Sequence, residues 1–495
     1  VRRRVLALGL LAWAFAVVAE GGERLPAVVH LHSDLSTGDF SLEQLTAMAE
    51  KQGIGALLLS ENYLLRVEYG LAPFRALTRV VREERSVLAA GLDRYLARVA
   101  RARAANPRVL IVPGVEVLPH YRWSGSPLAL DMTLHNTQKN ILVFGLEDPA
   151  ALGALPATGN PALGRPGWAA ALDALPGLLV IPGALMLARK TTTRTKVGRA
   201  VIVVTRRRWL AGALLCGVGI VALARGWPFA LDPYAPYGDL GLAPHQDLID
   251  YVDRAGGLTV WSFPEARDQG EQRVGPVRVA WHTAPYPDDL LWTARYTAFG
   301  AIYEDTTRVE RPGGSWDRLL AQYAVRDRSR PVWGVGESGF HGFTAGKGLG
   351  TVRTVFLVDQ RSTDAVIDAF RRGRMYAVQQ ERGAELVLAE FAVRTGGDTA
   401  ESGETLSAAE GAPLEIVVNL EATGGASRDA RVTLVRNGAV VAGWTGPTPL
   451  RTVHRETFDG APAFYRLDVR DPGRLLTNPI FVRRPPAPRA GEARR

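Results

Sequence analysis

The stretch Trp209 to Ala224 (WLAGALLCGVGIVALA) runs sixteen residues without a charge in the middle of a 495-residue chain. Any fold built from this sequence must bury that run or hand it to a membrane. It is long for a helix in a globular core and close to the lower limit for a span. A second apolar run, Leu175 to Ala188, precedes it, interrupted by Pro176 and Pro182. Between the two lie Arg189, Lys190, Arg194, Lys196, Arg199, Arg206, Arg207 and Arg208, eight cations with no acid among them. The positive-inside rule assigns such a linker to the cytoplasm. The reading is a transmembrane hairpin over 168–226 with a basic cytoplasmic tip, in which Val201 to Val204 fits the membrane surface. The competing reading is a pair of buried core helices in a soluble fold.

The N-terminus agrees with the membrane reading. Arg2-Arg3-Arg4 precede the apolar run Val5 to Ala19, so residues 1–20 read as a signal peptide or an N-terminal anchor. Both flanking halves of the folded region then lie outside a bacterial inner membrane, in the periplasm or beyond. The formal net charge of +9 is nearly accounted for by the linker alone. No broad basic surface is left, and nucleic acid is not expected as a partner. The single cysteine, Cys216, excludes an intrachain disulfide and reads as a packing residue.

The chemistry begins at Val28-Val29-His30-Leu31-His32-Ser33-Asp34. Two histidines at alternate positions after an apolar run project from one face of a strand, a ready clamp for a transition metal. Ser41 to Gly53 reads as a capped helix, Ile54 to Leu59 as a buried strand ending in Ser60-Glu61-Asn62-Tyr63, and Val109 to Val112 as a strand leading to Gly114-Val115-Glu116-Val117. This order resembles the PHP (polymerase and histidinol phosphatase) superfamily. Within it the chain looks like the branch of bacterial metallohydrolases grouped with carbaryl hydrolase, the CehA/McbA type. Gly256 to Trp261 before Pro264-Glu265, Gly314 to Asp317, Gly334 to Gly342 and Arg372 to Ala377 add to the resemblance, which covers about 27–378 apart from the insertion.

The resemblance implies an α/β fold: a distorted seven-stranded barrel with ligands at the C-terminal ends of its strands. It implies metal ligands at His30, His32, Glu116 and His341. Other family ligands are replaced here: Asn62 and Asn140 stand where imidazoles are usual, Phe263 stands for the histidine of an Ala-His-Pro motif, and Gly339 for an aspartate. His30, His32 and Glu116 still make a facial set for one divalent ion, zinc, manganese or iron. Glu61 or His341 is the expected general acid or base. Asp34, Glu61, Glu265 and Glu337 are nearby oxygen donors, and His135 is a histidine that can swing toward the Asn140 position. His120, His245, His282 and His454 read as surface or satisfied core residues.

The expected organisation is a PHP domain in two halves, 27–165 and 234–380, around the 168–226 hairpin. Alternating short strands from 384 to 483, with an Asn437-Gly438 turn, predict a β-sandwich. Residues 484–495 read as a disordered tail. Leu290 to Phe299 reads as helical. Two functions compete: a hydrolase, by resemblance a phosphoesterase, acting on a small molecule; and a catalytically degenerate binding or sensory module tethered to the membrane. A nucleic-acid exonuclease is a weaker third, which the location disfavours.

Overall fold

The computed structural model of the chain describes residues 22–485, apart from 73, 168–171, 173–174, 207, 228, 304–306, 344–347, 382–384, 426 and 472. The expected signal or anchor at 1–20 lies outside the described residues, as does 486–495 of the expected tail.

Seven strand positions form the first half of the molecule's large sheet. They are β1 (Glu23–Leu31), β2 (Ala56–Leu59, continued by Glu61–Asn62), β3 (Leu110–Val112, continued by Gly114–Val117), β4 (Ile141–Phe144), β5 (Leu258–Trp261), β6 (Ala298–Ile302) and β7 (Trp333–Phe340). β1 pairs in parallel with β2, and β2 with β3. β4 runs antiparallel to both β3 and β5. β5, β6 and β7 are parallel, and β7 pairs in parallel with β1. The pairings thus return to the first strand. Both faces are covered, so these strands read as near-continuous apolar runs rather than alternations. Every residue of Ala56–Leu59, Ile141–Phe144 and Ala298–Ile302 is buried.

The connecting helices follow local sequence rules. Leu42–Lys51 is held by a capping box of Ser41 and Gln44 and ends before Gly53 at φ 66°. Thr363–Arg372 is capped by the Ser362 side chain and stopped by left-handed Gly373. Leu290 to Phe299 departs from expectation. Only Asp289–Trp292 is helical, and Ala298–Ile302 is the central strand β6. The apolar run there is short and fully buried, where periodicity does not separate strand from helix.

Beyond β7, β8 (Val352–Val358) runs antiparallel to the first half of β1, and β9 (Met375–Gln379) antiparallel to β8. β9 pairs with Arg474–Thr477, so the C-terminal strands continue the same sheet. A second, four-stranded sheet of Asp398–Glu401, Leu386–Thr395, Pro413–Ala422 and Leu450–Thr457 faces them. Leu388, Ile416, Leu434, Leu467 and Ile480 fill the space between. The Asn437-Gly438 turn joins Asp429–Arg436 to Ala439–Pro447 with φ values of 51° and 85°, as a type I′ hairpin requires. Buried ion pairs join this region to the first: Arg466 with Asp317 at 2.7 Å, and Arg353 with Glu385 at 2.9 Å.

The insertion is a helical hairpin. Val180–Ala188 packs against Trp209–Gly226, which is 18 residues long with a mean hydropathy of 1.7 and 17% of its length buried. Among the described residues it is the one helix long and apolar enough to cross a membrane. The buried positions on the pair are small, Gly183, Gly212, Gly219 and Ala222, while Ile181, Leu210, Leu214 and Ile220 are exposed. Between the helices the basic linker folds as an exposed β-hairpin, Thr191–Val197 with Ala200–Arg206.

Candidate metal centre

His30, His32 and Glu116 converge at the C-terminal ends of β1 and β3, each offering one ligand atom within 4.8 Å of the others. The sequence places the histidines by simple alternation; the structure uses a different device. β1 shifts register against both neighbours between Val29 and Leu31, and His30 adopts φ 67°. A bulge re-aims a side chain at the expense of a strained backbone. It turns His30 so that its Nε2 meets the Nε2 of His32 at 3.1 Å. Glu116 completes the set, its Oε1 3.5 Å from His30 Nε2 and its Oε2 3.6 Å from His32 Nε2.

These separations fit a common ion. Two imidazole nitrogens bound at about 2.05 Å lie roughly 2.9–3.4 Å apart when the angle is between right and tetrahedral. A nitrogen and a carboxylate oxygen at similar bond lengths lie about 3.4–3.6 Å apart at tetrahedral or slightly wider angles, and each histidine meets a different Glu116 oxygen at that spacing, as a carboxylate facing the ion with both oxygens would. The protonation pattern fits as well. His30 Nδ1 lies 2.7 Å from Glu337 Oε1, and a carboxylate can only accept, so His30 carries its proton on Nδ1 and turns the Nε2 lone pair to the cluster. Burial, helped by His30 and His341, holds His32 well below its ordinary value. A neutral imidazole is the ligating form. His32 Nδ1 is buried without a partner among the described residues.

Glu337 was visible in the sequence only as one oxygen donor among several. It is fully buried on β7 behind His30, not beside it. Besides His30 it accepts from Ser262 Oγ at 2.5 Å and from the Phe263 N–H at 3.0 Å. This is the carboxylate–histidine arrangement that fixes a metal ligand's tautomer and orientation. Room for it comes from Gly300 on β6, where a Cβ would stand 1.9 Å from Glu337 Oε2.

The replaced ligands have acquired new partners. Asn62 Nδ2 donates to one oxygen of Glu116 at 3.0 Å, and Asn140 Nδ2 to the other at 2.7 Å. Burial pushes Glu116 up, against the pull of His30 and the two amides. Phe263 stacks on His30 with ring centroids 5.0 Å apart. Gly339, at φ 59°, has no room for a side chain: a Cβ there would lie 2.8 Å from Phe263 Cζ. The aromatic ring at 263 and the glycine at 339 are therefore one steric unit.

His341 lies beside the ligand cluster, not among its three converging residues. Its exposed ring stacks on His32 at 4.0 Å and 10°. A chain of hydrogen bonds sets its tautomer. Asn62 gives its N–H to Glu116, which leaves Oδ1 to accept from Thr37 Oγ1 at 2.6 Å. With its one proton so used, Thr37 Oγ1 accepts from His341 Nδ1 at 2.9 Å, which places the ring proton on Nδ1.

Glu61 does not take the open position expected of an acid or base. Its carboxylate accepts from the Ser33 N–H at 2.9 Å, from Ser33 Oγ at 2.5 Å and from Ser36 Oγ. It is fully buried, and burial raises it although these donors oppose the shift. Glu61 thus anchors the turn that carries Thr37. His135 does not swing inward; Ser124 holds its Nε2 at 2.8 Å in a separate four-stranded sheet. Asp34 pairs with Arg98 at 3.1 Å, and Glu265 accepts from the Arg308 and Val309 N–H groups. His120 and His245 are buried core residues, bonded to Gly238 O and Lys139 O; His120 is satisfied, whereas His245 Nδ1 is buried without a partner among the described residues.

No family model matches the chain, and no curated protein matches it. Among solved structures it is similar to a two-domain protein from Bacteroides vulgatus containing a predicted PHP-like metal-dependent phosphoesterase. That likeness has 12% identity, covers 94% of each chain and has a TM-score of 0.35. A protein from Bifidobacterium adolescentis assigned as a metal-dependent phosphoesterase is 14% identical over 70% of this chain and 96% of its own, with a TM-score of 0.30. An amidohydrolase from Chromobacterium violaceum with bound sulfate and no metal is 16% identical over 65% of this chain and 89% of its own, with a TM-score of 0.26. At these superposition scores the resemblances add nothing to what the side chains themselves establish.

Proposed function

We propose that this chain is a membrane-anchored, metal-dependent hydrolase of PHP type, acting outside the cytoplasm on a small molecule through one divalent ion. The observation that carries the reading is the His30–His32–Glu116 cluster, with the two imidazole nitrogens 3.1 Å apart, a Glu116 oxygen 3.5–3.6 Å from each, and a buried Glu337 fixing His30. Zinc, manganese or iron suits this donor set. When bound, such an ion supplies Lewis acidity and an activated water.

The chain's own residues do the rest. Glu337 keeps the His30 proton on Nδ1. The amides of Asn62 and Asn140 hold both oxygens of Glu116 and replace the imidazoles that would serve further ions, which supports a single-ion site. Thr37 holds His341 Nδ1 and so orients the ring that stacks on His32, which makes His341 the residue to take or deliver a proton. The substrate is a phosphoester or another hydrolysable ester or amide. A silent binding module is the second reading, favoured by the four replaced ligands.

Full-length protein in detergent, loaded with zinc, manganese or iron, is assayed against p-nitrophenyl phosphate and p-nitrophenyl esters. Turnover lost in His32→Ala and reduced in His341→Asn supports the hydrolase. Metal bound without turnover of any of these substrates supports the module.

A further inference from the structure

A second apolar surface gathers where the helix Trp209–Gly226 ends. Arg225, in its last turn, donates to Leu77 O at 3.1 Å and to Arg79 O at 3.3 Å, and Arg79 donates back to Arg225 O at 3.1 Å. Leu77 and Arg79 belong to a small hairpin in which Arg66–Tyr69 pairs with Val80–Glu83. The hairpin leaves Phe74 at 49%, Val80 at 72% and Val81 at 40% exposure. Trp227, two residues beyond Arg225, is 74% exposed. Phe74, Val80 and Trp227 thus stand exposed around one end of the apolar helix, close in sequence to Arg75, Arg79 and Arg225.

We propose that this ring is a membrane collar, seated in the interfacial zone of the leaflet from which Trp209–Gly226 emerges. The proposal rests on the membrane reading of that helix. Eighteen residues span about 27 Å at 1.5 Å per residue, close to the hydrocarbon thickness of roughly 30 Å. Trp209 and Trp227, 59% and 74% exposed, mark its two ends as an aromatic belt would. The collar is continuous with the span through the Arg225 bonds, and its arginines can lay apolar stems along the acyl boundary with their charges among headgroups. Arg75 also stacks over Tyr237 at 4.1 Å, which ties the collar to the chain leaving the membrane. Tyr69, the strand partner of Val80, follows Asn62 of the metal centre by seven residues, a reach of about 25 Å at most.

Cys216 is the sole cysteine, so a Cys216→Ser background permits single-site labelling of the full chain. An environment-sensitive fluorophore is placed at Val80→Cys in the collar, at Leu214→Cys in the helix and at Val440→Cys in the C-terminal region, which is 56% exposed. The protein is reconstituted into phosphatidylcholine–phosphatidylglycerol nanodiscs carrying nitroxide on the acyl chain near the headgroup. Quenching at both Leu214 and Val80, about threefold or more above that at Val440, is the expected result for an interfacial element. Quenching at Leu214 with Val80 at the Val440 level overturns the collar and leaves the span intact. Quenching at neither site overturns the membrane reading and the collar with it.

Discussion

Glu337→Gln isolates the residue that sequence alone left undistinguished. The wild-type carboxylate is an acceptor only and faces three donors: His30 Nδ1 at 2.7 Å, Ser262 Oγ at 2.5 Å and the Phe263 N–H at 3.0 Å. A glutamine of the same shape must turn its NH2 toward one side. Turned to Phe263, it sets two N–H groups against each other in a fully buried place. Turned to His30, it drives the imidazole into the wrong tautomer. Either way a buried donor is left unsatisfied, at a cost of about 1–3 kcal/mol. Loss of a second-layer carboxylate commonly weakens a metal site 10–100-fold, or about 1.4–2.7 kcal/mol. The two figures agree, and the expected outcome is a Kd for zinc raised about 10–100-fold with the three ligands intact. Competition against a chromophoric chelator measures it on full-length protein in detergent, with near-ultraviolet circular dichroism confirming the fold. An affinity within about threefold of wild type would refute the assigned role of Glu337, since no orienting carboxylate is that dispensable.

Three further outcomes follow from particular contacts. Gly339→Ala is expected to destabilise by about 1–3 kcal/mol, through strain at φ 59° and the 2.8 Å approach to Phe263; in a Phe263→Ala background the cost should fall by about 1 kcal/mol, measured as a double-mutant cycle in urea. His245, buried against Trp261, is held down to about 3 from 6.5 by burial and the Lys139 charge. Between these values the unfolded chain binds a proton that the folded one refuses, so stability present above pH 6.5 is lost toward pH 3 by up to about 1.4 kcal/mol per pH unit; His245→Gln should flatten that slope, and an unchanged slope counts against it. Arg466→Ala leaves Asp317 buried without its cation and should cost about 3–5 kcal/mol, whereas Arg466→Met with Asp317→Leu should cost far less by chemical denaturation.

The convergence of His30, His32 and Glu116 was legible because each ends a strand, and strand ends gather at one mouth. The helix Leu42–Lys51 was legible from its own ends, Ser41 as cap and Gly53 as stop. What the sequence hid depends on non-local volume. That Glu337 sits behind His30 follows from a register between β1 and β7 and from the absence of a Cβ on Gly300. Phe263 and Gly339 read as two separate losses, yet they share one space between the ends of β5 and β7. Glu61, chosen for its chemistry, is consumed by Ser33 and Ser36, hydroxyls whose direction no spacing rule gives. The bulge at His30 is likewise silent in a strand of uniform apolar pattern.

Elemental analysis by mass spectrometry of full-length protein, equilibrated with zinc or manganese in detergent and freed of excess, tests the central claim most directly. One ion per chain, abolished by His32→Ala and retained in Glu61→Gln, is the predicted result. Two ions per chain, or none in the wild type, would contradict it.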